Sequence, residues 1–352
     1  MRHNIGCWLV FLLALWFNLT GLVFAEKVAT LDELIYPRRI IVENNRVFIS
    51  DYPHIYIYST TDYRLLKKFG GQGQGPGEFY MDAALIHEKE KGLRFHLTPD
   101  EIVVNSMGRL SFFTRQGEFK RMIRFNPFTS GRQFITLGRN FAAWENNREP
   151  GDMHIKINLY GPDLKKIKKL CRGDFPFIFS SGSPTKVHFF RLEGPIYETF
   201  DNKLFVSFNG IQEFAIQVFD DRGEKLDTIS TVYDKIKLTE KAIQTYKDDF
   251  KYLFKRGLEH NLKNTLFPEF YPAIRNFTVS DGKIYVLTFK KQGDLSEFVI
   301  FDVQGNLLKK IMFPVAEMNA KRFYPYSIAS SRFYQIVEKD EETWELHTRN
   351  LD

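Results

Sequence analysis

The chain holds only two cysteines, Cys7 and Cys171. Cys7 lies inside the apolar amino-terminal run, so the remainder has Cys171 alone and no intrachain disulfide. A thiol alone at a predicted strand end reads as packing; a reactive thiol is the alternative. Beyond His3, the histidines are few and dispersed: His54, His87, His96, His154, His188, His260 and His347. Only His96 and His188 fall near predicted inner strands, and neither His-x-His nor His-Glu-x-x-His occurs. No metal site is therefore expected. The chain also lacks a Gly-x-Ser-x-Gly elbow to raise a serine nucleophile. Charge blocks are missing too. The 49 basic and 43 acidic residues interleave, giving a net charge of +6. That pattern suits a solvated surface with a mild cationic bias and excludes a nucleic-acid footprint.

Long apolar runs are absent beyond the first residues. Met1 to Ala25 reads as a secretory signal: Arg2 and His3, an apolar run from Trp8 to Trp16, and a small-residue site at Val23-Phe24-Ala25. An uncleaved anchor is the alternative. However, Asn18, Thr20 and Gly21 shorten the run below a comfortable span. No cysteine follows, so no lipid anchor is expected. Residues 26–352 are then one secreted or periplasmic domain without a membrane span. Loss of Arg2 leaves that domain a net charge of +5 (+6 minus one).

Aromatics are plentiful at 16% of residues, with 35 phenylalanines, and favour half-buried pleated surfaces. One stretch concentrates glycine: Phe69-Gly70-Gly71-Gln72-Gly73-Gln74-Gly75-Pro76-Gly77-Glu78-Phe79. A phosphate loop would need Lys-Ser or Lys-Thr after the last glycine and then a helix; neither is present. A strand, a permissive loop and a restarting aromatic are what remain.

From Pro37 a unit recurs: strand, tight turn, strand, loop, strand, tight turn, strand. Its first copy is Arg38 to Val42, Asn44-Asn45, Val47 to Ile49, Ile55 to Tyr58, Thr61-Asp62 and Leu65 to Phe69. The first hairpin returns at Asp201-Asn202-Lys203-Leu204-Phe205-Val206 and Asp281-Gly282-Lys283-Ile284-Tyr285-Val286. The second returns at Val218 to Gly223 and at Ile300 to Gly305. Asn, Asp and Gly are what two-residue hairpin turns need. Six units of roughly 45–60 residues each match four-stranded propeller blades. The sixth has three strands, ending with Trp344-Glu345-Leu346-His347, and residues 26–36 are placed as its missing outer strand. The spacing breaks at Thr239 to Leu262, where Ala242, Ile243, Tyr246, Phe250, Leu253 and Phe254 recur at helical spacing. The expectation is all-β, a six-bladed β-propeller with a helical insertion, 239–262, between blades four and five. The connection Arg172 to Val187 reads as an apolar plug followed by a flexible turn.

The Phe-Gly to Gly-Pro-Gly-Glu-Phe stretch, with Asp281 to Val286 and Phe301-Asp302-Val303-Gln304-Gly305-Asn306-Leu307, resembles NHL-repeat β-propellers. The likeness is to the secreted bacterial six-bladed kind, and covers nearly all of residues 26–352. It implies a binding platform for protein, carbohydrate or RNA, with a minority of enzymes, and fold alone does not choose among these.

One side-chain pattern stands out. An arginine precedes or opens each inner strand: Arg38 with Arg39, Arg94, Arg132, Arg191, Arg275 and Arg322. Inner strands line a propeller's channel, so these could converge on one mouth, with Tyr324, Tyr326, Tyr271 and Tyr197 nearby to stack on a sugar. Guanidinium groups bind carboxylate or sulfate through paired hydrogen bonds. Alternation along a strand sends only half of its residues inward, so pairing with local carboxylates is the plain alternative. Site residues are thus Arg38, Arg94, Arg132, Arg191, Arg275, Arg322, Tyr324 and Tyr326, with no catalytic group, metal or cofactor. The expected function is a monomeric binding or scaffold module for an anionic glycan or a partner protein. The alternative is a channel-mouth lyase or hydrolase acting on polysaccharide or ester.

Overall fold

Left-handed turns decide where this chain reverses. The computed structural model describes residues 26–81, 93–126, 131–149, 152–174, 187–188, 195–208, 213–249, 265–319, 322–340 and 343–351. Within them, positive φ angles pair up at Asn44-Asn45, Asp201-Asn202, Asp281-Gly282 and Ser330-Ser331. Each pair closes the hairpin between an inner strand and the next, and left-handed Asn, Asp and Gly match the twist of the flanking strands. A second device closes the outer hairpins. Gly117, Gly223 and Gly305 have positive φ beside a one-residue register shift in the adjoining strand pair. Tyr63 and Leu164 hold the same position in two other blades, again beside a shift. A bulge there adds twist without ending the ladder.

These turns generate six four-stranded antiparallel sheets. Blade 1 is β24 (Tyr326–Ala329), β25 (Arg332–Asp340), β26 (Thr343–Asn350) and β1 (Glu26–Thr30). Blade 2 is β2 (Arg39–Glu43), β3 (Arg46–Asp51), β4 (His54–Ser59) and β5 (Leu65–Gly70). Blade 3 is β6 (Arg94–Leu97), β7 (Glu101–Ser106), β8 (Arg109–Thr114) and β9 (Phe119–Arg124). Blade 4 is β10 (Arg132–Leu137), β11 (Asn140–Glu149), β12 (Asp152–Tyr160) and β13 (Lys166–Asp174). Blade 5 is β15 (Ile196–Phe200), β16 (Lys203–Ser207), β17 (Ala215–Phe219) and β18 (Lys225–Ser230). Blade 6 is β20 (Asn276–Ser280), β21 (Lys283–Gln292), β22 (Leu295–Asp302) and β23 (Leu307–Pro314).

The core lies between blades. Middle strands such as β4 and β7 are buried on both faces, while outer strands such as β5 carry exposed lysines. Six apolar clusters sit at six interfaces, each joining one blade to its neighbour. One of them packs Leu31, Leu34, Trp344 and Ile336 against Ile40, Val47 and Tyr58, so blade 1 meets blade 2 and the ring closes. The β1 strand pairs with β26, which covers the edge that β26 would otherwise expose.

The glycine stretch is the link from blade 2 to blade 3. Phe79 is fully buried and packs edge-on against Phe113, while the Glu78 carboxylate accepts the Gly75 amide at 2.7 Å. Gly70 adopts φ +91°, where a Cβ would run into the Phe79 ring. The loop is a structural joint.

Counted from the blade that holds the first strand, the helix lies between blades five and six. Counted from the unit that starts at Pro37, the same position is between four and five. Helix α1 spans Glu240–Asp249, and residues 250–262 lie outside the described part. The Thr239 hydroxyl caps it by accepting the Ala242 amide at 3.2 Å. The sequence does not announce β14 (Val187–His188) and β19 (Thr265–Leu266), a parallel pair outside the blades. Strand β13 continues through Arg172 to Asp174; the proposed plug, 175–186, and residues 1–25 lie outside the described part.

Candidate functional site

All six inner strands begin on the face where one blade links to the next. Their first residues are Arg39, Arg94, Arg132, Ile196, Asn276 and Tyr326. Two positions further along, Ile41, His96, Glu198, Thr278 and Ile328 line the channel cavity, while Phe134 is buried between blades 3 and 4. The cavity is about 950 Å³, and Arg38, Arg39, Arg94, Arg275 and Arg322 all line it. Tyr246 of α1 lines the same cavity with Phe289 and Phe323, so the helix stands over the mouth.

Among the described residues, the carboxylates near these arginines are individually placed. The Arg275 guanidinium pairs with Glu317, which Lys291 also holds at 2.6 Å. Burial opposes ionisation of Glu317, but Arg275 and Lys291 outweigh it and keep its pKa below the ordinary glutamate value. Asp51 lies near Arg38 and accepts the amides of Ile35 and Tyr36; burial still pushes its pKa up. Glu198 Oε1 stands 4.0 Å from Arg39 Nη2, too far for a hydrogen bond, while its Oε2 accepts the Val279 amide at 3.0 Å. Burial raises the Glu198 pKa and lowers that of Arg39, each countered in part by the other's charge. Protein atoms surround Arg39 on every side, yet a third of its side-chain surface opens into the channel. Its Nε is buried without a hydrogen-bond partner.

Of the residues expected at the mouth, Arg38, Arg94, Arg275, Arg322 and Tyr326 line the cavity. Arg132 does not; its guanidinium stacks over the Trp144 ring at 5.5 Å. Tyr324 packs edge-on against Trp344 in the interface of blades 1 and 2, so it serves the core. Arg191 lies outside the described residues. Tyr326 is half-buried and its hydroxyl accepts from Asn276 Nδ2 at 2.9 Å. Tyr271 stacks on Phe289 with ring centres 4.6 Å apart, and the Tyr197 hydroxyl donates to the Gln133 carbonyl.

Arg39 and Glu198 are the two central groups that site selection from sequence missed. Arg39 was overshadowed by its neighbour Arg38, and Glu198 carried no motif. Its place in Ile196-Tyr197-Glu198-Thr199-Phe200, between alternating residues that share its face, is the signal that could have found it. His96 is neutral: burial, aided by Arg39, pulls its pKa down to about 3, and Nε2 accepts the Thr136 amide at 3.0 Å. Among the described residues no three His, Cys, Asp or Glu side chains are grouped to hold a metal ion. His188 falls in the small parallel pair and not on an inner strand.

No protein-family model and no curated protein matches the chain. Among solved structures, "KlHsv2 with loop 6CD replaced by a Gly-Ser linker" is similar at 11% identity and TM-score 0.38. The likeness covers 89% of this chain and 85% of that one. At that distance it carries no inference, and the propeller assignment stands on the strand order and the six interfaces. No helix of the described residues is long and apolar enough to cross a membrane.

Proposed function

We propose that the protein is a binding module of the NHL-propeller type, secreted or periplasmic, whose channel mouth takes an anionic glycan. The supporting observation is the gathering of cationic side chains at the mouth. Five arginines line the cavity; Glu317 pairs with Arg275, Asp51 lies near Arg38, and Glu198 stands 4.0 Å from Arg39. Clefts with low-dielectric walls concentrate such a field, and uronate or sulfate groups match guanidinium geometry. Aromatic rings beside the arginines, Tyr326, Phe289 and Phe323, suit a sugar face better than an inorganic ion.

Thermal-shift titration with oligogalacturonates and sulfated oligosaccharides at low salt tests this. A ligand at about 100 times its Kd adds about 2.7 kcal/mol, a shift of several degrees. The shift should shrink as salt rises and should be absent with neutral oligosaccharides. No stabilisation by any anionic glycan would remove the proposal. For export, mass spectrometry of protein from its native host should find Glu26 as the first residue; a retained Met1 in a membrane fraction would contradict it.

A further inference from the structure

We propose that Glu198 is a proton-operated counter-ion of the channel, yielding Arg39 and Arg94 to an anionic ligand when it takes up a proton. The inference rests on the anionic-glycan reading and adds its regulation. Arg39 has a carboxylate beside it but no hydrogen bond to it: Nη2 to Oε1 is 4.0 Å, and Nε is buried and unpartnered. Arg94, on the next inner strand, is exposed to the channel and close enough to Arg39 for the two charges to repel. Two adjacent guanidinium groups, one of them with a single distant counter-charge, make an incomplete site. A ligand carboxylate or sulfate would complete it with direct hydrogen bonds.

Glu198 is placed to compete with that ligand. The groups facing it are Arg39 from β2, the Val279 amide from β20 and, within electrostatic range, Tyr326 from β24. On β6, Arg94 acts on Arg39, and Arg39 acts on the neutral His96; on β15, Tyr197 turns its hydroxyl toward the Gln133 carbonyl. A second anion at Arg39 would stand beside the Glu198 carboxylate, and like charges in a confined site favour protonation of one of them. Burial already raises the Glu198 pKa, which moves this protonation toward neutral pH. Binding and proton uptake must then be coupled reciprocally.

Isothermal titration of trigalacturonate at low salt, from about pH 5 to about pH 8, tests the coupling. It is run in two buffers of different ionisation enthalpy, with wild type and Glu198→Gln. The ligand's own carboxyl groups stay ionised over most of that range. In Glu198→Gln the amide oxygen still accepts the Val279 amide, so the fold is retained; an unchanged melting temperature confirms it. Wild type should bind at least about 5-fold more tightly at the acid end and take up as much as about one proton. Glu198→Gln should bind at the acid-end affinity throughout, with no proton uptake. Equal affinity across pH in wild type, or an unchanged pH profile in the variant, would overturn the inference while leaving the anion site standing. Absence of binding at every pH in both proteins would overturn both.

Discussion

Truncating Leu31 to alanine is the most informative perturbation of the ring. Leu31 follows β1, its amide donates to the Trp344 carbonyl at 2.8 Å, and its side chain is 1% exposed. Around it lie Leu34, Trp344 and Leu346 of blade 1 and Ile40, Tyr56 and Tyr58 of blade 2. Alanine leaves a cavity where a blade interface and the closing strand meet, which costs about 2–5 kcal/mol. For a domain of this size that lowers Tm by roughly 3–7 °C. Two controls set the scale. Leu307→Ala alters an outer-strand residue that is 48% exposed, and should cost no more than about 0.5 kcal/mol. Lys27→Ala breaks an ion pair to Glu345 whose lysine is largely exposed, and should cost no more than about 1 kcal/mol. Urea denaturation of the three variants gives the comparison. If Leu31→Ala is indistinguishable from Leu307→Ala, the amino-terminal strand is not closing the ring.

Three further outcomes follow from particular residues. Glu317 has its folded-state pKa below 4.5, so its contribution is full above that value and is lost as pH falls through the folded pKa. Glu317→Gln should therefore lower Tm at neutral pH, and the difference from wild type should close in acid; a constant gap would contradict this. Burial pushes the Cys171 thiol up to about 12, so near pH 7 only about one molecule in 10⁵ carries the thiolate. Cys171 should stay silent to a thiol-reactive dye until the protein is unfolded, and rapid labelling of native protein would refute its burial. Gly117 has φ +85°, and a Cβ there would come within 2.5 Å of the Phe69 ring. Gly117→Ala should cost about 1–3 kcal/mol in denaturant; no loss would mean the turn relaxes freely.

The architecture was legible because its punctuation is chemical. Asn44-Asn45, Asp201-Asn202 and Asp281-Gly282 announce left-handed turns wherever they occur, and their fixed order spells out blades. The Ser330-Ser331 turn uses residues with a weaker preference for that conformation and so gives a fainter signal. Two-residue strands such as Val187–His188 leave no period to detect. The site was half legible. Arg38, Arg94, Arg275 and Arg322 reach the channel, as their place before inner strands suggested. Arg132 opens its strand just as Arg94 does, yet a register shift between Arg132 and Ile135, with Gln133 at φ 55°, accompanies its turn onto Trp144. Such a local irregularity depends on packing across blades and has no sequence mark. Glu198 was missed for a related reason, since the meaning of a lone glutamate depends on the strand opposite.

A crystal structure of the protein with trigalacturonate at saturating concentration and low salt tests the central claim most directly. The account predicts a ligand carboxylate in the mouth, hydrogen-bonded to Arg39 and Arg94, with the sugar ring against Tyr326 or Phe323. A ligand bound only on the outer rim, or an empty mouth, would contradict it.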